Sequence, residues 1–104
     1  MRVVRISAEA AQELVEAAAW YERESPGLGA RLIDAFEHAI ELLREEMPPL
    51  TPLTGEAAHR GAKRLLLHRF PFWVITIERG DEFVVVALAH HARRPGYWKD
   101  RLLT

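Results

Sequence analysis

Two apolar runs, Phe72 to Arg79 and Glu82 to His90, are separated only by Gly80-Asp81, and this spacing places an antiparallel hairpin at the centre of the fold. A two-residue connection returns the chain beside itself, and glycine supplies the positive φ that such a turn needs. Within the second run, Phe83-Val84-Val85-Val86-Ala87-Leu88-Ala89 is apolar at every position. Side chains alternate between the faces of a strand, so this segment reads as a central strand covered on both sides. Lys63 to Phe70 reads as a further strand, with Leu65 and Leu67 on one face and Arg64, Leu66 and His68 on the other; Arg69 joins the first face. Pro71 has no N–H to give a ladder and marks the turn before the hairpin. The three strands form a meander, and Arg2 to Ile6, short and β-branched, adds another at the start.

Between these β segments lie two helical patterns. Ser7 is placed to cap the first, with Glu9 in its opening turn. Ala8, Ala11, Leu14, Val15 and Ala18 recur at helical spacing as a buried face, leaving Glu9, Gln12, Glu13 and Glu16 as a solvated one. Ser25-Pro26-Gly27-Leu28-Gly29 breaks the pattern, and Gly27 and Gly29 read as punctuation. A second helix buries Leu32, Phe36, Ala39, Ile40 and Leu43, turns Asp34, Glu37, Glu41 and Arg44 outward, and stops at Pro48-Pro49. Leu50 to Gly61, rich in Pro, Thr, Gly and Ala, is a long loop. The expected architecture is one α+β domain over residues 1–104, ordered β-α-α-β-β-β. It has an antiparallel twisted sheet with a helical hairpin on one face and a C-terminal tail.

The 104 residues fit a single core, and the absence of cysteine excludes disulfides and thiolate metal sites. The opening Met1-Arg2-Val3-Val4-Arg5-Ile6 reads as a strand and not as a leader, and no long apolar run suggests a membrane span, so a soluble cytoplasmic protein is expected. Net charge is −1, unevenly spread: residues 1–50 hold five Lys/Arg against ten Asp/Glu, and residues 51–104 hold nine against five. That asymmetry fits a surface with one basic region able to meet an anionic partner, or simply solvated helices followed by a strand-rich half.

The basic region concentrates after the last strand, in His90-His91-Ala92-Arg93-Arg94-Pro95-Gly96-Tyr97-Trp98-Lys99-Asp100-Arg101. Arginine offers a planar fork for phosphate or carboxylate, aromatic faces stack on bases, and histidine titrates near neutrality. Such a set can bind and polarise an RNA phosphate, and it can equally grip an acidic peptide. In the plain structural alternative, Tyr97 and Trp98 tuck their rings against the open edge of the core. Arg93 and Arg94 then pair with helix carboxylates such as Glu37 or Glu41. Alternation along the strand sends one of His90 and His91 to each face. Their adjacency lacks metal-ligand spacing, so no metal is expected, and nothing calls for a cofactor. Arg64, His68 and Arg69 form a second basic group; His38 on a helix surface and His59 in the loop are given no role.

The element order, the segment His68-Arg69-Phe70-Pro71-Phe72-Trp73-Val74-Ile75 and the run Ala87 to Trp98 together resemble the RelE/ParE family of toxins from type II toxin–antitoxin systems. The resemblance covers essentially the whole chain, and its most specific part is the ending. It implies a small bacterial toxin neutralised by a cognate antitoxin that wraps around it. It also implies one of two targets: mRNA cut in the ribosome, as RelE-like members do with basic residues and a C-terminal Tyr or His, or DNA gyrase, blocked by ParE-like members without catalytic residues. Carried over by position, Arg93 or Arg94 stabilises phosphate charge, Tyr97 transfers a proton, His90 or His91 acts as acid or base if it faces the open side, and Arg69 lies at the strand corner near them. Arg64, His68, Arg69, Trp98 and Lys99 become candidate contacts to nucleic acid or target. Only two lysines, Lys63 and Lys99, occur in the sequence, fewer than a ribosome binder is expected to need. The competing function is a non-catalytic interaction module, or a degenerate toxin that only binds its partner.

Overall fold

A computed structural model describes residues 2–55, 58 and 60–103, so His59 lies outside the described residues. The chain runs β1 (Val3–Ile6), α1 (Ala8–Glu24), α2 (Leu28–Leu43), β2 (Thr51–Pro52), β3 (Ala62–Leu66), β4 (Phe72–Arg79) and β5 (Glu82–His90), and ends in a 3-10 turn over Lys99–Leu103. The sheet order is β1-β5-β4-β3-β2. The meander β3-β4-β5 is antiparallel as expected, and Gly80 takes the positive φ of 59° in its last turn. Two features go beyond the expectation. The long loop contributes the short edge strand β2, and β1 pairs with β5 in parallel, making the sheet mixed.

The helical hairpin covers one face of the sheet. Leu32, Phe36, Ala39, Ile40 and Leu43 of α2 are buried there, as their spacing predicts, with Leu65, Val74, Val85 and Leu88 beneath them. Helix α1 sits rotated from the expected face. Ala10 and Ala18 are buried, Leu14, Ala17 and Tyr21 are half-buried, and Ala8, Ala11 and Val15 are exposed. Alanines lie on every side of this helix, so its own pattern chooses a face weakly and the packing partner decides it. Gly29 is more than punctuation, because it lies inside α2 where the two helices touch. A Cβ there would stand 2.5 Å from the Ala18 carbonyl oxygen. Glu22 closes the same hairpin by accepting from the Gly27 and Gly29 N–H groups.

The opposite face has its own apolar layer, Ile75, Ile77, Val86, Ala87 and Ala89, and the C-terminal tail folds back to cover part of it with Trp98 and Leu102. A bulge makes this layer possible. Ile75 pairs with Ala87 and Thr76 with Val85, leaving Val86 as an extra residue whose side chain joins Ala87 on the tail side. Beyond the bulge the alternation is reversed, which fixes where His90 and His91 point.

Strand β3 stops at Leu66, short of the expected Phe70. Leu67 still reaches the core, but His68 to Pro71 form a tight turn in which Arg69 adopts φ 69°. Arg64 and His68 therefore share no strand face. The cause is the early turn set by Pro71 and by Phe72, whose N–H donates to the Phe70 carbonyl at 2.8 Å.

Candidate functional site

The site is built around the point where β1 ends and the next strand edge loses its partner. Strand β1 accompanies β5 only as far as Ile6 opposite Val85, and Ser7 then starts α1, its hydroxyl accepting from Ala10 N–H at 3.1 Å. The exposed edge of β5 beyond that point carries a Leu88 N–H and a Val86 carbonyl. Side chains satisfy them: Glu13 Oε1 accepts from Leu88 N–H at 3.0 Å, and Arg101 Nη1 donates to the Val86 carbonyl at 3.0 Å. Unmet backbone groups at this depth would be costly, which accounts for a carboxylate at this position of α1.

Glu13 is thereby the anchor of the tail and not part of a solvated face. Its Oε2 accepts a 2.5 Å hydrogen bond from the Tyr97 hydroxyl, and Arg101 donates to Oε1 at 2.9 Å. Arg93 approaches it at 3.6 Å while lying 3.7 Å over the Tyr97 ring. The acidic partner of Arg93 is thus Glu13, neither Glu37 nor Glu41; Glu41 instead pairs with Arg44 on its own helix. Arg94 is exposed. Burial pushes the Tyr97 phenol well above its ordinary pKa, and the hydrogen bond to the Glu13 carboxylate pushes it further the same way. Arg101 is also held above its ordinary value: burial opposes the charge, and Glu13 outweighs that effect.

Beside this anchor the tail and the sheet enclose a cleft of about 320 Å³. Trp73 and Ile75 form its floor, Arg93, Arg94 and Lys99 its tail wall, and Arg64 the facing wall. Arg64 lies 4.1 Å over the Trp73 ring, and His91 meets Trp73 as well, in a tilted ring contact at 5.1 Å. Gly96, at φ 77°, lets the Lys99 stem pass close by, since a Cβ there would stand 2.6 Å from Lys99 Cε.

The candidate residues thus fall into separate places. Arg64, His91, Arg93, Arg94 and Lys99 meet at the cleft. Tyr97 borders it with its hydroxyl turned to Glu13. Trp98 is only 5% exposed, so its ring packs in the core. His90 also borders the cleft, but its ring stands edge-on to Phe72 of the helix side, and its Nδ1 accepts from Ala92 N–H. His68 and Arg69 lie apart, in a groove with Tyr21, Arg31 and His38. The resemblance led Arg69 to be expected near Arg93 and Tyr97, and the early turn after β3 carries it to this other groove. Sequence reasoning missed Glu13 and Trp73. The signal for Trp73 was its alternation with Phe72, the core partner beside it. Glu13 had none, because its partners lie more than 70 positions away.

Among the described residues no group of His, Asp or Glu could hold a metal ion, and no helix is long and apolar enough to cross a membrane. The sequence family described as the ParE toxin of the type II toxin-antitoxin system, parDE, matches residues 4–95. Among solved structures, a chain of the "Chromosomal ParDE TA system from P. aeruginosa" superposes with a TM-score of 0.72 at 18% sequence identity, over 86% of this chain and 96% of that one. No curated protein matches at a significant level.

Proposed function

Given that the chain belongs to the ParE toxin family of type II toxin–antitoxin systems, we propose that it arrests bacterial growth by blocking DNA gyrase and that a cognate antitoxin neutralises it. The choice of a non-nucleolytic target rests on one observation. Tyr97, the proton-transfer candidate of a nuclease reading, spends its hydroxyl on Glu13, and burial together with that carboxylate makes its phenol a weaker acid than a free tyrosine. Arg93, which would accompany it, is partly committed as well, to the Tyr97 ring and to Glu13. The tail then serves chiefly as architecture.

The antitoxin's seat, in this reading, is the groove along the helix pair lined by Ile6, Leu14, Ile33, Phe36 and Ile40. Ile6 and Ile33 are exposed apolar residues of this groove, and Asp34, Glu37 and Glu41 are exposed acids lining it. An amphipathic helix with apolar anchors and basic flanks matches that surface. Both events would take place in the cytoplasm.

Expression of the chain alone tests the proposal. Growth should stop and plasmid supercoiling should relax while mRNA ends remain unchanged, and a short neighbouring reading frame should restore growth. New mRNA ends with supercoiling intact would contradict it.

A further inference from the structure

Helix α2 carries charges that run against its own dipole. It has no acid in its first turn and no base in its last, whereas α1 has Glu9 and Arg23 in those places. Arg31 instead stands near the N-terminus of α2 and Glu41 near its C-terminus. Both placements work against the helix taken alone, so its own stability does not account for them.

Arg31, Asp34, His38 and Glu41 recur at steps of three and four and are all exposed, so they form one ridge along the outer side of α2. Among the described residues Arg31, Asp34 and His38 have no ion-pair partner, and Glu41 has only the neighbouring Arg44. His68 and Arg69 join Arg31 in one groove and make that end basic. The exposed Glu45 follows Glu41 and makes the other end acidic.

The ridge is its own complement. Turned antiparallel about a two-fold axis level with Phe36, it sets Arg31 against Glu41 and Asp34 against His38. Arg31 and Glu41 match because each lies about 7.5 Å along the helix from that level. We propose that a second copy of this chain docks here, α2 against α2, as an isologous antiparallel dimer. The His38 ring can donate to the Asp34 carboxylate in either protonation state. Arg31 then lies beside the negative end of the second copy's helix, which removes the conflict with its own dipole. Exposed ion pairs are individually weak, so the dimer is a weak one and sensitive to salt. Asp34 and Glu41 also border the groove of the helix pair, so the dimer would cover that groove.

The test is sedimentation velocity of the purified full chain, from micromolar to millimolar concentration and at low and high salt. A dimer should appear as concentration rises and should weaken with salt. Arg31→Glu and Glu41→Arg should each weaken it by about tenfold or more, since either change sets like charges together at both ends of the contact. Both positions are exposed, so the variants should keep the fold, which circular dichroism checks. An equimolar mixture of the two variants should associate again, because one copy is then negative and the other positive at both positions. Arg23→Glu, on α1, should leave the dimer unchanged. A chain that stays monomeric at millimolar concentration in low salt, a dimer indifferent to Arg31→Glu, or a mixture that does not associate would overturn the proposal. Neither gyrase nor an antitoxin is present, so failure here is distinct from failure of the functional reading.

Discussion

The Tyr97 hydroxyl donates a 2.5 Å hydrogen bond to Glu13 Oε2, joining the C-terminal tail to the first helix across 84 positions of sequence. Through Glu13 the same contact reaches Leu88 of the central strand and Arg101 of the final turn. One carboxylate thus completes the β5 edge that β1 leaves open and holds the tail against the second face of the sheet.

That contact gives stability a high-pH limit. The folded Tyr97 pKa lies above its ordinary value of 10.0, so the phenol adds stability that is fully present below pH 10.0 and is lost as pH rises toward the folded value. Thermal melts should show a decline above about pH 10. Tyr97→Phe should reduce that decline and lower stability at pH 7 by about 1–2 kcal/mol. A melting curve with the same alkaline slope in both proteins would contradict this.

Glu13→Gln should cost more than Tyr97→Phe, about 2–3 kcal/mol at pH 7 by denaturant unfolding. Glutamine can still accept one of the bonds, but it removes the carboxylate charge that lies 2.9 Å from the partly buried Arg101. Glu16→Gln, on the exposed part of the same helix, should change stability by less than about 0.5 kcal/mol.

Gly29→Ala should destabilise by about 1–3 kcal/mol, because the new methyl meets the Ala18 carbonyl and forces the helices apart. Gly55→Ala probes a different term. Its Cβ would have open space, and only the backbone strain of φ 71° would be felt. Equal melting temperatures for Gly29→Ala and the unaltered chain would show that the close approach is not required.

Ile33→Glu places a charge in the apolar groove of the helix pair without touching the core, since Ile33 is exposed. Growth arrest by this variant should persist, while the antitoxin loses its ability to restore growth. Rescue equal to that of the unaltered chain would move the antitoxin's seat elsewhere.

The legibility of the fold in the sequence was uneven for physical reasons. Strands β4 and β5 and helix α2 were readable because their apolar residues follow one period and fill one core. Helix α1 was misread in rotation because alanine is compatible with either environment. Strand β3 was read too long because Leu67 keeps the alternation after the ladder has ended, and the turn that removes His68 and Arg69 from the strand depends on a positive φ at a non-glycine residue. Of the site, the cationic wall was legible as a local cluster in the chain. Glu13 was not, since its role comes from a strand edge left open far away in sequence.

The central claim is that this chain stops growth through gyrase without acting as a nuclease. Its most direct test is ATP-dependent plasmid supercoiling by purified gyrase in the presence of the purified chain, alongside Tyr97→Phe. The account predicts that both proteins inhibit supercoiling to the same extent once the amount of folded protein is matched. Supercoiling that proceeds undisturbed with the folded, unaltered chain would contradict it.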